Sequence, residues 1–515
     1  MAAVTDPATV LAVDIGAESG RVVAVTVEAE RLTAHEVHRF ANVPLVVGDG
    51  LHWDVRGLWA EVETGVELGL AQKPLSVGVD TWAVDFALLD ADGGLLGDPH
   101  HYRDHRTDGA LDRLLQRVPR ETIFAETGIQ FMPINTLVQL FTMVESGDPR
   151  LRDARTFLTI PDLFNHWLAG GGPGGSPGGA TDGATAYARE STRELTCEFT
   201  NATTTQLFNP TTRTWSSTLL DALGLPAELF PSVSYPGTRV GSHRGLDVVL
   251  PATHDTGSAV AAIPSAAPRD EVAFISSGTW SLVGTEVDEP LLGPAALAAN
   301  VTNEGAADGG YRLLKNVMGL WLLQQCRATW AAAGMTLSYD EIVAAAAEEP
   351  ALRSVIPVDH PDFLHAGDHA STIGRLCREL GEPEPTTPSA IARAVFDSLA
   401  LAYAATLDQL AALTGRTFSV IHVVGGGSRN AVLNQATADA TGTTVVAGPV
   451  EATAIGNALV QLRAAGVIPD LATGKRLVAN SFDLQVYEPR TTSAWRTARD
   501  RAAGHALHSA RRRPA

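Results

Sequence analysis

Apolar positions along the chain come in short bursts separated by small, polar turns. Val10–Asp14 is one such run, Gly16-Ala17-Glu18-Ser19-Gly20 is a turn, and Val22–Val27 is apolar again. That pattern predicts strand, tight turn, strand. Leu75–Val79 and Ala83–Leu89 predict two further strands, and helical periodicity follows over Thr136–Val144 and Leu158–Leu168. The stretch Gly170–Gly183 (GGGPGGSPGGATDG) interrupts the pattern. Its prolines, and the lack of strand and helix signals beside it, predict a solvated insertion and not a nucleotide cradle.

A second block begins near Gly241. Asp247–Leu250 and Val272–Ile275 are strand-like, and the turn Ser276-Ser277-Gly278-Thr279 leads into Trp280–Val283, a weak echo of the first hairpin. Leu314–Trp330 and Ala390–Leu413 predict helices. Val420–Val424 predicts a buried strand entering Gly425-Gly426-Gly427, followed by a helix over Ala431–Ala440 and a strand over Thr444–Ala447. Residues 491–515, with Arg511-Arg512-Arg513 near the end, predict a solvated polar tail. Strands mixed with helices throughout argue an α/β fold, with one domain over 1–245, a second over 246–490, and the tail beyond.

Composition narrows the class. The 515 residues are 45% hydrophobic and 19% charged, with a net charge of −20. This is a folded chain whose acidic surface argues against a nucleic-acid partner. No basic and apolar leader opens the sequence, and no uncharged run of about 20 apolar residues is present. A cytoplasmic protein without a membrane partner is expected. Cys197, Cys326 and Cys377 have spacings that fit neither a zinc site nor a disulfide framework, so inert thiols are expected.

Several stretches could carry chemistry. Turns of Gly, Ser and Thr expose backbone N–H groups that suit phosphates, and Asp14, just before the first turn, is placed to meet a hydrated magnesium ion. An ordinary hairpin explains either turn alone; two in one chain keep a phosphate cradle equally open. Val423–Asn430 (VVGGGSRN) lacks the spacing of a dinucleotide fingerprint, yet strand, glycine turn and helix start still make an anion-contacting corner. Gly474-Lys475 is followed by Arg476, which excludes a P-loop. His254-Asp255-Thr256 opens a small-residue helix, where Asp255 is either a cap or a general base. The loop from His100 to Arg106 is read as a metal site or as a polar wall beside a sugar. Asp80, Trp82 and Asp85 combine carboxylates with an aromatic, as carbohydrate sites do.

Taken together, these stretches resemble the FGGY family of carbohydrate kinases. The matching segments include DIGAESGRV, SVGVDTWAVDFALLD, YRDHRT, GIQFMPINTLVQL, FTNATTTQLFN, HDTGSAVAAIP, ISSGTWSLVG, RLLKNVMGLWLLQQCR and VVGGGSRNAVLNQATADATG, in order over roughly residues 10–490. The resemblance implies two actin-like, ribonuclease H-like domains with a catalytic cleft between them. It implies ATP-dependent phosphorylation of L-rhamnulose at O1, with Mg²⁺, by a monomer or small homo-oligomer. Asp255 matches the proton acceptor; Ala83, His254, Thr256 and Asn316 match sugar contacts. Ala17, Glu18, Ser19, Gly20, Arg21, Thr279, Gln324 and Gly426 match nucleotide contacts. Two departures stand out: Ala83 where glycine is common, and Glu18 where the family has a small polar residue. Thr437 and Thr441 stand where some members carry cysteines, so no disulfide is expected there. The alternatives are a kinase for L-fuculose or D-xylulose, an actin-like ATPase switch, and a silent sugar sensor.

Overall fold

The computed structural model describes residues 7–173, 195–490 and 493–511. The glycine-rich insertion beyond residue 173 lies outside the described residues. Contacts divide the chain into two compact units. Met1–Pro264, Val287–Leu313 and Ala452–Ser481 form the first, and Ser265–Glu286, Leu314–Glu451 and Phe482–Ala515 form the second. Each unit is therefore assembled from separated stretches, where the sequence pattern marks one boundary at residue 245.

The first unit is built on a six-stranded sheet. Its strands are β1 (Ala8–Ile15), β2 (Ser19–Glu28), β3 (Arg31–Ala41), β4 (Ser76–Thr81), β5 (Arg239–His243) and β6 (Leu246–Val249), in the spatial order β5-β6-β4-β1-β2-β3. β1 and β4 are buried along nearly their whole length, so they read as continuous apolar runs; β3, at the edge, exposes most of its side chains. β1 pairs antiparallel with β2 and parallel with β4, in a register that sets Asp14 beside Asp80 on one face. The helix Ala452–Ala464 packs against the helix Asp255–Ala261. A Cβ on Gly456 would lie 1.8 Å from the Ser258 carbonyl oxygen, so only glycine permits that approach.

The second unit repeats the plan. β7 (Val272–Ser277) pairs antiparallel with β8 (Trp280–Val287) and parallel with a later strand, β10 (Val420–Val424). With β9 (Tyr311–Met318), β11 (Thr444–Ala447) and β12 (Gln485–Tyr487) the order is β9-β8-β7-β10-β11-β12. The weak echo between the two hairpins is thus a repeated topology. The 27-residue helix Pro388–Thr414 is long and apolar enough to cross a membrane by length and composition, but 78% of its most apolar window is buried inside the protein. Its buried Asp397 accepts from Arg393 at 3.0 Å and from the Leu352 N–H at 2.6 Å.

Three elements differ from the sequence pattern. Residues 158–159 end a strand, Thr156–Thr159, before the helix Ile160–His166 begins. Leu314–Met318 is strand, and the helix starts only at Trp321; Gly319, with Trp280 and Gly278 backbone atoms within 2.7 Å of a built Cβ, marks the break. The expected tail is instead a helix, Ser493–Arg511. Good helix formers make it, Trp495 and Ala498 bury its inner face, and Arg501 donates to the Leu352 carbonyl at 2.7 Å. The three cysteines are free and buried, and burial raises all three thiol pKa values, Cys326 and Cys377 to about 12. Burial and raised thiol pKa values fit the inert thiols that their spacing led us to expect.

Candidate active site

The segment Thr253–Thr256 continues from β6 and lies beside the end of β4, where the Thr81 N–H donates to the Thr253 carbonyl at 2.9 Å. Buried Glu198 anchors it. One carboxylate oxygen accepts from the Thr253 N–H at 3.0 Å, the Thr253 hydroxyl at 2.7 Å and the Thr200 hydroxyl at 2.5 Å. Thr200 in turn accepts from the His254 N–H at 3.2 Å. Burial raises the Glu198 pKa, with these donors opposing it. His254, not Asp255, is the N-cap of the helix Asp255–Ala261. Asp255 therefore sits at the first helical position, where one of its oxygens meets a first-turn N–H of the same helix.

The two oxygens of Asp255 differ. Oδ1 accepts from the Thr256 N–H at 2.5 Å and the Thr256 hydroxyl at 3.2 Å, and lies 3.4 Å from His254 Nε2. Oδ2 has no hydrogen bond among the described residues. The side chain is 30% exposed, yet its surroundings are dense enough for desolvation to raise its pKa; His254 opposes that shift and the charge of Asp14 adds to it. A carboxylate held by one oxygen and raised in basicity is suited to accept a proton at the other.

The turn after β1 is fixed from behind. Gly16 N–H donates to the Ser19 carbonyl at 2.9 Å, while Asn42 donates from its backbone to Glu18 and from Nδ2 to Gly16, each at 2.9 Å. Glu18 and Ser19 are exposed, Ala17 and Arg21 half-buried. A Cβ on Gly20 would fall 2.2 Å from the Phe40 ring, which explains glycine there. Arg21 directs Nε and Nη2 onto one oxygen of Asp14, at 2.9 and 2.7 Å. Buried Asp80 accepts from Asn457 at 2.6 Å, and its pKa lies well above the ordinary range because of burial and the charges of Asp14 and Asp255. Asp80 stands beside Asp14 in the sheet register, and a hydrated divalent cation at this end of β1 would offset the charge they place there.

A third group surrounds Ala83. Asp85 Oδ2 accepts from the indole N–H groups of Trp53 (2.6 Å) and Trp82 (3.0 Å) and from the Tyr102 N–H (3.2 Å), while Oδ1 accepts from Gln139 at 2.8 Å. Burial pushes the Asp85 pKa up to about 6. His101 stacks on Trp53 with centroids 4.0 Å apart, and burial lowers the pKa of His100 and His101 to about 3. His100 accepts from Arg150 at 2.9 Å, so the His100 and His101 rings are neutral within a loop that also carries Arg103, Asp104 and Arg106. Val84 has φ +68°, a conformation costly for a β-branched residue, and the Asp85 N–H reaches across it to the Ala83 carbonyl at 3.0 Å. Thr136 holds the Val84 carbonyl at 2.6 Å.

The remaining predicted residues lie in the second unit. The β7–β8 turn carries Thr279, whose carbonyl accepts from the Trp321 N–H at 3.2 Å, while its hydroxyl lies 3.5 Å from Gln324 Nε2. The glycine loop touches the end of β7, where a Cβ on Gly427 would lie 2.0 Å from Ser277 Oγ. Gly426 is exposed, with open space where its Cβ would be. The structure thus brings Thr279, Gln324 and the Gly426 loop onto one β7-centred corner. Asn316, half-buried on β9, belongs to this unit, whereas Ala83, His254, Asp255 and Thr256 belong to the first.

Sequence reasoning missed Asn42, Glu198, Arg312, Asn457 and Gln461. Asn457 and Gln461 carry a trace of their role: four residues apart on a helix, they share a face. No local signal marks Arg312 or Glu198, because the contacts that tie them to the site, with His254 and Thr253, are distant in the chain.

Comparison with known proteins adds names to this geometry. Models for the FGGY family of carbohydrate kinases match residues 9–245 (N-terminal domain) and 273–465 (C-terminal domain). The chain is 41% identical over 495 residues to a rhamnulokinase of Pectobacterium carotovorum, covering 94% of both chains. It is 39% identical to a rhamnulokinase of Oceanobacillus iheyensis, covering 93% of this chain and 97% of that one. Among solved structures it is similar to a gluconate kinase from Lactobacillus acidophilus (TM-score 0.73, 16% identity, 98% of each chain). It is also similar to glycerol kinase from Plasmodium falciparum with ADP (TM-score 0.72, 14% identity, 97% of each chain). At those identities the structures speak to the fold, which is the two-domain α/β architecture described above.

Proposed function

The chain belongs to the FGGY family of carbohydrate kinases, and on that premise we propose that it phosphorylates L-rhamnulose at O1 with ATP. The products are L-rhamnulose 1-phosphate and ADP, and the setting is cytoplasmic L-rhamnose degradation. Asp255 is the observation that carries the reading: one oxygen tied down, the other open, and a raised pKa. The proteins named rhamnulokinase at about 40% identity supply the substrate. Free, buried thiols suit a reducing compartment.

In this reading Asp255 Oδ2 accepts the hydrogen bond of the O1 hydroxyl and orients its lone pair toward the terminal phosphorus. As the O1–P bond forms and the bond to ADP breaks, the hydroxyl proton passes to Oδ2. A loose transition state needs little proton removal before attack, so positioning is the larger contribution. Ala83, His254, Thr256 and Asn316 hold the sugar, and the Trp82–Asp85 segment walls it. The turn from Ala17 to Arg21, with Thr279, Gln324 and Gly426, contacts the nucleotide. Asp14, with Asp80 nearby, suits Mg²⁺ held through water; the ion, when bound, neutralises phosphate charge.

The test is ADP release over a panel of L-rhamnulose, L-fuculose and D-xylulose. The reading expects the highest kcat/KM with L-rhamnulose and at least a thousandfold loss of kcat, on the order of a general base's contribution, in Asp255→Asn. ADP release indifferent to every sugar would point to an ATPase switch instead, and a preference for another ketose would reassign the substrate.

A further inference from the structure

Behind Asp255 lies a buried chain of polar groups that no family likeness assigns. Arg312 is wholly buried at the start of β9, in the stretch Val287–Leu313 that belongs to the first unit with His254, and its Nε donates to the Gly305 carbonyl at 2.8 Å. Its Nη2 lies 3.1 Å from His254 Nδ1 in hydrogen-bond geometry and 3.4 Å from a Glu304 carboxylate oxygen. That oxygen also lies 3.3 Å from His254 Nδ1. On the other side of the ring, Nε2 lies 3.4 Å from Asp255 Oδ1.

A guanidinium has donors only, so the ring nitrogen it meets must be the acceptor. A ring that accepts at Nδ1 carries its proton on Nε2, the nitrogen that faces Asp255. Glu304 has the opposite preference, because a proton on Nδ1 would face its carboxylate. The shorter contact, in hydrogen-bond geometry, is Arg312's, and Arg312 also draws the Glu304 charge toward itself. A ring with its proton on Nε2 presents a positive edge to Oδ1. That reinforces the two Thr256 donors and keeps Oδ2 as the open oxygen. With the proton on Nδ1, Nε2 would present a lone pair to Oδ1 and turn the carboxylate away.

We infer that Arg312 is a positioning residue: it fixes the tautomer of His254, and His254 fixes the carboxylate rotamer of Asp255. The inference rests on the proposed role of Asp255. Orienting partners of this kind matter because the wrong tautomer undoes a site whose geometry is otherwise intact.

The test uses the full-length protein with ¹⁵N-labelled histidine. The His254 ring signals are identified by their loss in His254→Gln, and wild type is expected to show a protonated Nε2 and a bare Nδ1. Arg312→Met should weaken that bias and lower kcat by about ten- to a hundredfold, the range for a residue acting through a ligand or base, with the KM for ATP within about twofold. Arg312→Lys, which keeps a donor, should recover most of the loss. A wild-type ring protonated on Nδ1 overturns the inference without any variant. So does a folded Arg312→Met enzyme with unchanged tautomer or wild-type kcat. Asp255→Asn separates the two proposals: undiminished turnover there removes the base role, whereas the tautomer spectrum still judges Arg312.

Discussion

Asp85 makes a measurable demand on the fold. Its pKa moves from 3.8 to about 6 because the carboxylate is buried, and the donors from Gln139, Trp53 and Trp82 only partly compensate. The folded protein thus binds more protons at this group than the unfolded chain does between those values. Its stabilising effect is complete below pH 3.8 and is lost as the pH rises through about 6. Holding the charge costs about 3 kcal/mol at pH 7.5 and about 1.6 kcal/mol at pH 5, a difference of about 1.4 kcal/mol. Asp85→Asn cannot titrate. It is not isosteric in hydrogen bonding either. With the amide oxygen toward the indoles, its NH₂ faces Gln139 Nε2, and Gln139 cannot flip without giving up its 2.6 Å contact from Arg106. One or two buried donors are left unpaired, at about 1–3 kcal/mol each. Urea unfolding followed by tryptophan fluorescence at pH 7.5 and pH 5 measures both proteins. The stability of wild type relative to the variant should rise by about 1.4 kcal/mol on going to pH 5. A gap that stays constant, or that shrinks on acidification, refutes the account of Asp85. The variant should also raise the KM for sugar more than it lowers kcat, because the amide that now faces Gln139 disturbs the segment that holds Trp53 and Trp82.

Other consequences are as direct. Asp162, pushed up to about 8 by burial, adds a second rise in stability as the pH falls from 8, one that Asp162→Asn should remove in the same unfolding experiment. Gly427→Ala should weaken ADP binding in calorimetry, since its Cβ collides with Ser277, and Ser277→Gly in the same protein should restore part of the loss. Asn42→Ala frees the Gly16 carbonyl and should raise the KM for ATP severalfold while costing about 1–2 kcal/mol of stability. Thiol titration should find no reactive cysteine until denaturant is added. Chelation of divalent ions should abolish sugar-dependent ADP release, and Mg²⁺ should restore it.

Much of the scaffold is legible in the sequence because its signals are local. The β1 run, its glycine turn and the β2 run need only neighbouring residues to be understood, and the same holds for β7, β8, β10 and the helix after Gly427. What escapes is set by distant partners. Leu314–Met318 is apolar enough for a helix, and only pairing within the sheet makes it strand. The helix Ser493–Arg511 looks like a solvated tail until Trp495 and Ala498 find a surface to cover. In the site, Asp255 stands out through its neighbours His254 and Thr256. Glu198 and Arg312 do not, because they act across 55 and 58 positions of chain. Val84 gives no warning of its positive φ; the neighbouring hydrogen bonds impose it.

The first unit is completed only by Ala452–Ser481. From that late segment, Gln461 reaches the Leu11 carbonyl and the Ser76 hydroxyl, and Asn457 reaches Asp80. A growing polypeptide on the ribosome must therefore wait until nearly all of its length has been synthesised before the earliest strands are sealed. Until then, chaperones meet an amino-terminal half with an open flank, and a nonsense codon shortly before position 452 would leave that flank open for good.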